Sequence, residues 1–321
     1  MSYITGKGQV STLNRRLRAM MLSSACAVFV ALAVLATFAI STGAGAALPG
    51  RNGPLAAFAE RESREGTYGT LDFVGAPRSA GAAECLSSDD SGFDEETPCP
   101  RNPAFAPGSG RIAYDVDGRL AVGGLKQSQR VTLRSLTDQD SDPAWDAKGE
   151  RLFFEGRRSQ GRAIYSVRSD GTDLRGPLAP GRAPAVSSRG LVAYVAGGFV
   201  RVLDPRSGAS RKLARGGYPD WSPSGRSIAF ERRSATYVVS ATRRKPPRLL
   251  LRRARRAVYS PDGKRIAFLR VARGDAGGRH PQYSVFSARL NGSNAKVLLR
   301  GGEVDTGSEF NSYQEIAWGS R

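Results

Sequence analysis

Histidine occurs once in these 321 residues, as His280, and cysteine three times, as Cys26, Cys85 and Cys99. That scarcity removes whole classes of chemistry. A lone histidine supports a Ser-His-Asp triad only where a serine and an acid converge on it, and no G-x-S-x-G elbow occurs. The H-E-x-x-H and C-x-x-C spacings that hold metals are missing. So is a Walker loop, since Gly263-Lys264 follows turn residues rather than a glycine-rich cradle. Asp138, Asp140 and Asp142, or Asp115 and Asp117 followed by Gly118, lack the terminal glutamate of a calcium loop and read as turn aspartates. The expectation is a protein with no catalytic residues, no metal and no cofactor.

Acidic residues are also short: 29 Asp and Glu face 48 Lys and Arg, a formal charge of +19. The densest basic stretch runs from Arg243-Arg244-Lys245-Pro246-Pro247-Arg248 on to Arg256. It lacks the interleaved aromatics on which bases stack, and it contains Leu249-Leu250-Leu251, which reads as an outer strand. Nucleic acid is not an expected partner.

The N-terminus speaks for export. Residues 1–19 carry Arg15, Arg16 and Arg18 and no acid; Met20 to Ile40 is an apolar run, and small residues follow to Ala47. A positive region, an apolar stretch and an A-x-A site at Ala44–Ala46 make a secretory signal. The run also approaches bilayer-spanning length. Residues 1–46 are therefore a signal peptide cleaved near Ala46 or a retained signal anchor, an apolar helix in either case. Both outcomes place residues 47–321 outside the cytoplasm, secreted or anchored to the membrane through residues 20–40.

The remainder is organised by repetition. Five copies align: NPAFAPGSGRIAY (102–114), DPAWDAKGERLFF (142–154), APAVSSRGLVAY (183–194), YPDWSPSGRSIAF (218–230) and RAVYSPDGKRIAF (256–268). Each has an anchor residue, namely Phe105, Trp145, Val186, Trp221 or Tyr259, spaced 40, 41, 35 and 38 residues apart. Such a period marks a repeat array. Pro223-Ser224-Gly225 and Pro261-Asp262-Gly263 suit tight turns, and Ile228-Ala229-Phe230 after the turn reads as a strand. Second turns at Ser169-Asp170-Gly171, Arg206-Ser207-Gly208 and Leu290-Asn291-Gly292 bring each unit to about four short strands, the content of a propeller blade. Tyr313 to Trp318 forms an anchor strand with no blade after it, and Asn52 to Phe58 a second strand with no anchor before it. Joined, they complete a sixth unit. The predicted fold is all-β, a six-bladed propeller closed by the C-terminal strand.

These phrases resemble the P-x-W-S-P-D-G-x-x-I-A-F repeats of TolB-type six-bladed propellers, over about residues 50–321 and most specifically over 216–270. Val186 and Phe105 stand where the family pattern has tryptophan. The resemblance implies the propeller alone: TolB's additional N-terminal α/β domain has no counterpart, so a Tol–Pal role is not implied. Propellers of this kind also accompany serine peptidases resembling prolyl oligopeptidase, but a closing strand at the end of the chain leaves no room for a hydrolase domain.

Cys85 and Cys99 lie in a polar insert, residues 81–100, between the first and second blades. In an oxidising compartment such a pair reads as one disulfide, contributing about 3 kcal/mol by loop entropy. Propeller connectivity then places the loops between second and third strands, and those leading into each next blade, on one face. Arg157, Arg158, Arg162, Arg232, Arg233, Arg252, Arg253, Arg255 and Arg256 all fall there, as candidates for an anionic partner. The expected function is a non-enzymatic envelope scaffold presenting this basic face to a protein or an anionic polymer. The alternatives are an enzyme with a central-channel site, for which Asp220 and Glu315 are the visible acids, and a membrane-tethered ligand or glycan sensor.

Overall fold

Short β-branched and aromatic runs separated by proline and glycine turns can bury their apolar faces only by pairing and stacking. The computed structural model describes residues 50–63, 66–75, 83–87, 99–125, 130–271, 282–304 and 309–321, all within one compact unit, Gly43–Arg321. The apolar run of residues 20–40, most of the insert, His280, and Arg273 and Arg279 of the same loop lie outside the described residues.

The first blade contains β1 (Asn52–Ser63), β2 (Gly66–Val74) and β3 (Ala83–Ser87). The second is β4 (Arg101–Phe105), β5 (Ile112–Val116), β6 (Arg119–Gly123) and β7 (Arg130–Thr132). The third is β8 (Gln139–Trp145), β9 (Arg151–Arg158), β10 (Gly161–Arg168) and β11 (Arg175–Pro180). The fourth is β12 (Arg182–Val186), β13 (Val192–Ala196), β14 (Phe199–Leu203) and β15 (Ser210–Arg215). The fifth is β16 (Gly217–Trp221), β17 (Ser227–Arg232), β18 (Ala235–Ser240) and β19 (Arg248–Leu251). The sixth is β20 (Arg255–Tyr259), β21 (Arg265–Val271), β22 (Tyr283–Arg289) and β23 (Lys296–Leu299). β24 (Gly302–Val304) and β25 (Glu309–Ser320) return to the first sheet, whose order is β24-β25-β1-β2-β3. Every strand pair is antiparallel with its sequence neighbour, and β25 pairs with β1 from Asn52↔Ser320 to Glu62↔Phe310. The result is an all-β six-bladed propeller, with no α-helix among the described residues.

The core is distributed rather than central. Each of six apolar clusters spans the junction of two neighbouring blades; Ala193, Val200 and Val202 of the fourth, for example, pack with Trp221, Ile228 and Phe230 of the fifth. Phe105, Trp145, Val186, Trp221 and Tyr259 are buried at the ends of the innermost strands, whereas Trp318 is half-buried. The two buried tryptophans also staple blades together. Trp145 Nε1 donates to Ala104 O at 3.1 Å and Trp221 Nε1 to Ala185 O at 3.0 Å, each acceptor lying on the preceding blade.

In three repeats the second aromatic serves within its blade. Phe154 stacks on Tyr165, Phe230 on Tyr237 and Phe268 on Phe286, with centroids 5.8–5.9 Å apart. An arginine covers each pair: Arg158 over Tyr165, Arg232 over Tyr237 and Arg270 over Phe286.

Trp221→Phe should lose the indole donor and a little volume, about 2 kcal/mol in all. Trp221→Ala should cost about 3–5 kcal/mol, and Trp318→Ala clearly less because its side chain is half-exposed. Urea denaturation midpoints of the three variants check the order.

Candidate functional site

The innermost strands share one irregularity. Register slips between Arg101 and Ala104, Ser141 and Ala144, Arg182 and Ala185, Gly217 and Asp220, and Arg255 and Val258. At each slip one residue is left-handed: Asn102, Asp142, Ala183, Tyr218 and Arg256 have φ of 49–50°. Asn and Asp tolerate this conformation, whereas Ala, Tyr and Arg pay about 1–2 kcal/mol for it. Pro103, Pro143, Pro184 and Pro219 follow, at a position where a bulge needs no amide donor.

These bulges turn their residues toward the propeller axis and shape the mouth of a central channel. Asn102, Asp142, Tyr218, Arg256 and Glu315 line an outer cavity of about 120 Å³ together with the prolines. Below it the channel continues as a cavity of about 140 Å³ between Ala104, Ala144, Ala185, Val258 and Ala317, with Asp220 the one acid in its wall.

Carboxylates from the preceding blade hold the bulges in place. Asp142 N donates to Asp115 Oδ1 at 3.0 Å, Ala183 N to Glu155 Oε2 at 3.3 Å and Arg256 N to Glu231 Oε2 at 3.2 Å. Asn102 N donates to Glu315 Oε2. At the fifth site the equivalent residue is Val195, and Tyr218 instead has Arg256 over its ring at 3.6 Å and Arg182 at 6.0 Å.

The concentration of carboxyls raises their proton affinity. Burial pushes Asp115 up to about 7, the Asn102 amide opposing this and the charge of Glu315 adding to it. Enclosure by the channel wall raises Asp142 well above the ordinary carboxylate range, and the charges of Asp115, Glu155 and Glu315 raise it further against Arg256. Burial likewise raises Glu315 and Asp220. Among the described residues no hydrogen-bond donor reaches the Asp142 carboxylate. No group of three His, Cys, Asp or Glu among them is placed to hold a metal ion.

The turn reading of the aspartates needs correction at two positions. Asp140 does cap a turn, accepting from Leu136 N and Thr137 N at 2.9 and 3.0 Å, and Asp117 and Asp138 lie at turns. Asp115 is instead buried in β5, and Asp142 stands at the axial mouth. The signal was present: Asp115, Glu155 and Glu231 each directly follow the second aromatic of a repeat, at Tyr114, Phe154 and Phe230.

The nine arginines lie at strand ends and turns of the face that carries the mouth, but they do not act alike. Arg162 pairs with Glu155 at 2.8 Å, and Arg255 with Glu231 at 2.9 Å and Tyr283 at 2.7 Å. Arg158, Arg232 and Arg256 lie over aromatic rings. Arg157, Arg233, Arg252 and Arg253 are exposed, with no side-chain hydrogen bond or ion pair to the described residues. Cys99 packs beside the Phe58–Phe105 cluster, and the backbone of Cys85 pairs with Gly69; the Cys85 side chain lies outside the described residues.

Asp115 retains a proton in the fold that the unfolded chain releases above its ordinary value of 3.8. Wild-type stability should therefore fall as pH rises from about 4 to about 7. Asp115→Asn should flatten that decline by up to about 1.4 kcal/mol per pH unit, read from urea midpoints across this range.

No protein-family model matches the chain, and no curated protein matches it. Solved structures do. TolB from Acinetobacter baumannii superposes with a TM-score of 0.60 at 15% identity, covering 84% of this chain and 67% of its own. A putative TolB from Agrobacterium tumefaciens gives 0.56 at 15% identity, over 82% of this chain and 98% of its own. A chain of a nidogen/laminin complex gives 0.54 at 12% identity, over 84% of this chain and 100% of its own. At these identities the likeness establishes the fold: the chain is a TolB-like six-bladed propeller.

Proposed function

We propose that the protein is an exported, non-enzymatic binding propeller of the bacterial cell envelope, which docks a protein partner on the face carrying the axial mouth. The observation that carries this reading is the set of four arginines, Arg157, Arg233, Arg252 and Arg253, exposed around that face without internal partners. Turns on the other face also carry Arg189, Arg206, Arg226, Arg243, Arg244 and Lys245, with Asp146, Glu150, Asp170, Asp173, Asp204 and Asp262 among them, while on the mouth side Asp117 and Asp138 lie beside Arg157 and Arg158. The four arginines without internal partners favour an acidic surface on the mouth side. The similar propeller in the nidogen/laminin complex, a protein–protein assembly, supports the same mode. In this reading β25 closes the ring on β1, and Cys85 and Cys99 form a disulfide that pins the insert.

A second reading, a channel enzyme, draws on the carboxyls at the axis. Stoichiometric metal or turnover in purified protein would favour it. A membrane-tethered sensor would retain residues 1–46 and take a small molecule or glycan in place of a protein partner.

Crosslinked capture from the cell envelope, washed at low and high salt, tests the proposal. Replacing the four arginines with serine should weaken capture at least tenfold while shifting stability by less than about 0.5 kcal/mol. An anionic polymer released by salt would replace the protein partner, and unchanged capture would remove the arginine face from the account. Intact-mass analysis of alkylated, non-reduced protein should show Cys85 and Cys99 unlabelled and a mature chain beginning near Ala47; a full-length mass would establish the anchor instead.

A further inference from the structure

Asp220 is out of place. The positions that match it on the other inner strands are Ala104, Ala144, Ala185, Val258 and Ala317, so the fold itself asks only for a small or branched apolar residue there. Asp220 is 5% exposed, and its Oδ2 accepts one hydrogen bond, from Tyr259 N at 2.8 Å. Its second oxygen meets no donor among the described residues, and Asp220 lines both the outer and the inner part of the channel. A carboxyl buried with one bond is destabilising, and burial holds it well above the ordinary carboxylate range. Such a group lacks a positive partner.

The route to it has matching chemistry. At the mouth, Asp142 stands within electrostatic reach of Asp115, Glu155 and Glu315, with Arg256 the opposing charge. Arg256 lies over the Tyr218 ring, and both line the mouth. An incoming cation would relieve that crowding. Between mouth and Asp220 the wall is made of Pro143, Pro184 and Pro219, which offer an apolar surface and no amide hydrogens. The inner cavity of about 140 Å³ holds roughly four or five waters at ~30 Å³ each, too narrow for a folded element but wide enough for one unbranched chain.

We propose that the axial channel binds a primary ammonium group on an unbranched alkyl stem, the ammonium seated on Asp220, the stem along the prolines and Asp142 receiving it at the mouth. A lysine side chain of a docked protein and a free alkylamine share this chemistry. The inference deepens the partner-binding reading: the arginine rim meets an acidic surface, and the axis takes one cation from its centre.

Calorimetric titration of the full-length chain in detergent tests it, with n-butylammonium, n-butanol and the capped peptide acetyl-Gly-Lys-Gly-amide as probes. Butylammonium should bind and butanol should not. Asp220→Ala should weaken amine binding at least tenfold while melting at or above the wild-type temperature, since alanine fills the same position in four blades. Asp142→Asn should weaken it less. Peptide binding that matches butylammonium assigns the site to a protein lysine; butylammonium without the peptide assigns it to a free amine, and either result supports the proposal. Equal binding of butanol, an undiminished Asp220→Ala variant, or no amine binding overturns it. If amine binding fails while envelope capture still depends on the four exposed arginines, the channel assignment falls and the docking face stands.

Discussion

A left-handed residue in the middle of a β-strand is unfavourable for alanine, tyrosine or arginine, and this propeller places one in each of five innermost strands. In four of the five, what makes it tolerable is a carboxyl group from the blade before. Asp115, Glu155, Glu231 and Glu315 each accept the amide of the next blade's bulge, so the bond that relieves local strain also sets the spacing between blades. Apolar packing at the junctions supplies the cohesion, but it is non-directional. The carboxylate bonds give it register. Because they lie at the inner rim, the carboxyl groups that organise the ring are the same ones that surround its axis.

Much of this architecture was legible from spacing. The anchors at Trp145 and Trp221, the turns at Gly225 and Gly263 and the strand Leu249–Leu251 are local features, and local features survive reading one residue at a time. The site was less legible, for a physical reason. Asp142 is followed by proline and Asp115 precedes a turn, so each looks like turn chemistry, and their common destination depends on blades 27 residues apart meeting at one rim. Comparing equivalent positions across repeats would have exposed the pattern, since an acid follows the second aromatic in three of five copies. The arginines divide in a way that loop position alone does not show. Charge alone marked all nine as available, whereas five cover an aromatic ring or engage a glutamate.

The resulting surface has a concentric design. Guanidinium groups stand at the circumference and carboxyls at the centre, on a scaffold whose internal contacts use members of both sets. An acidic partner without a central cation would meet the desolvated carboxyls with like charge, and a purely basic one would meet the rim. On the proposed reading, selectivity would come from the order in which charges are encountered, not from their sum.

The pairing of Asn52 with Ser320, the bond from Arg321 N to Arg51 O at 2.8 Å and the bond from Gly50 N to Pro261 O at 3.2 Å put both ends of the propeller chain beside the turns that follow the anchors. The arginines and the axial mouth open on the opposite side. A linker joined at Gly50 or at Arg321 would therefore meet the propeller on the side away from the mouth.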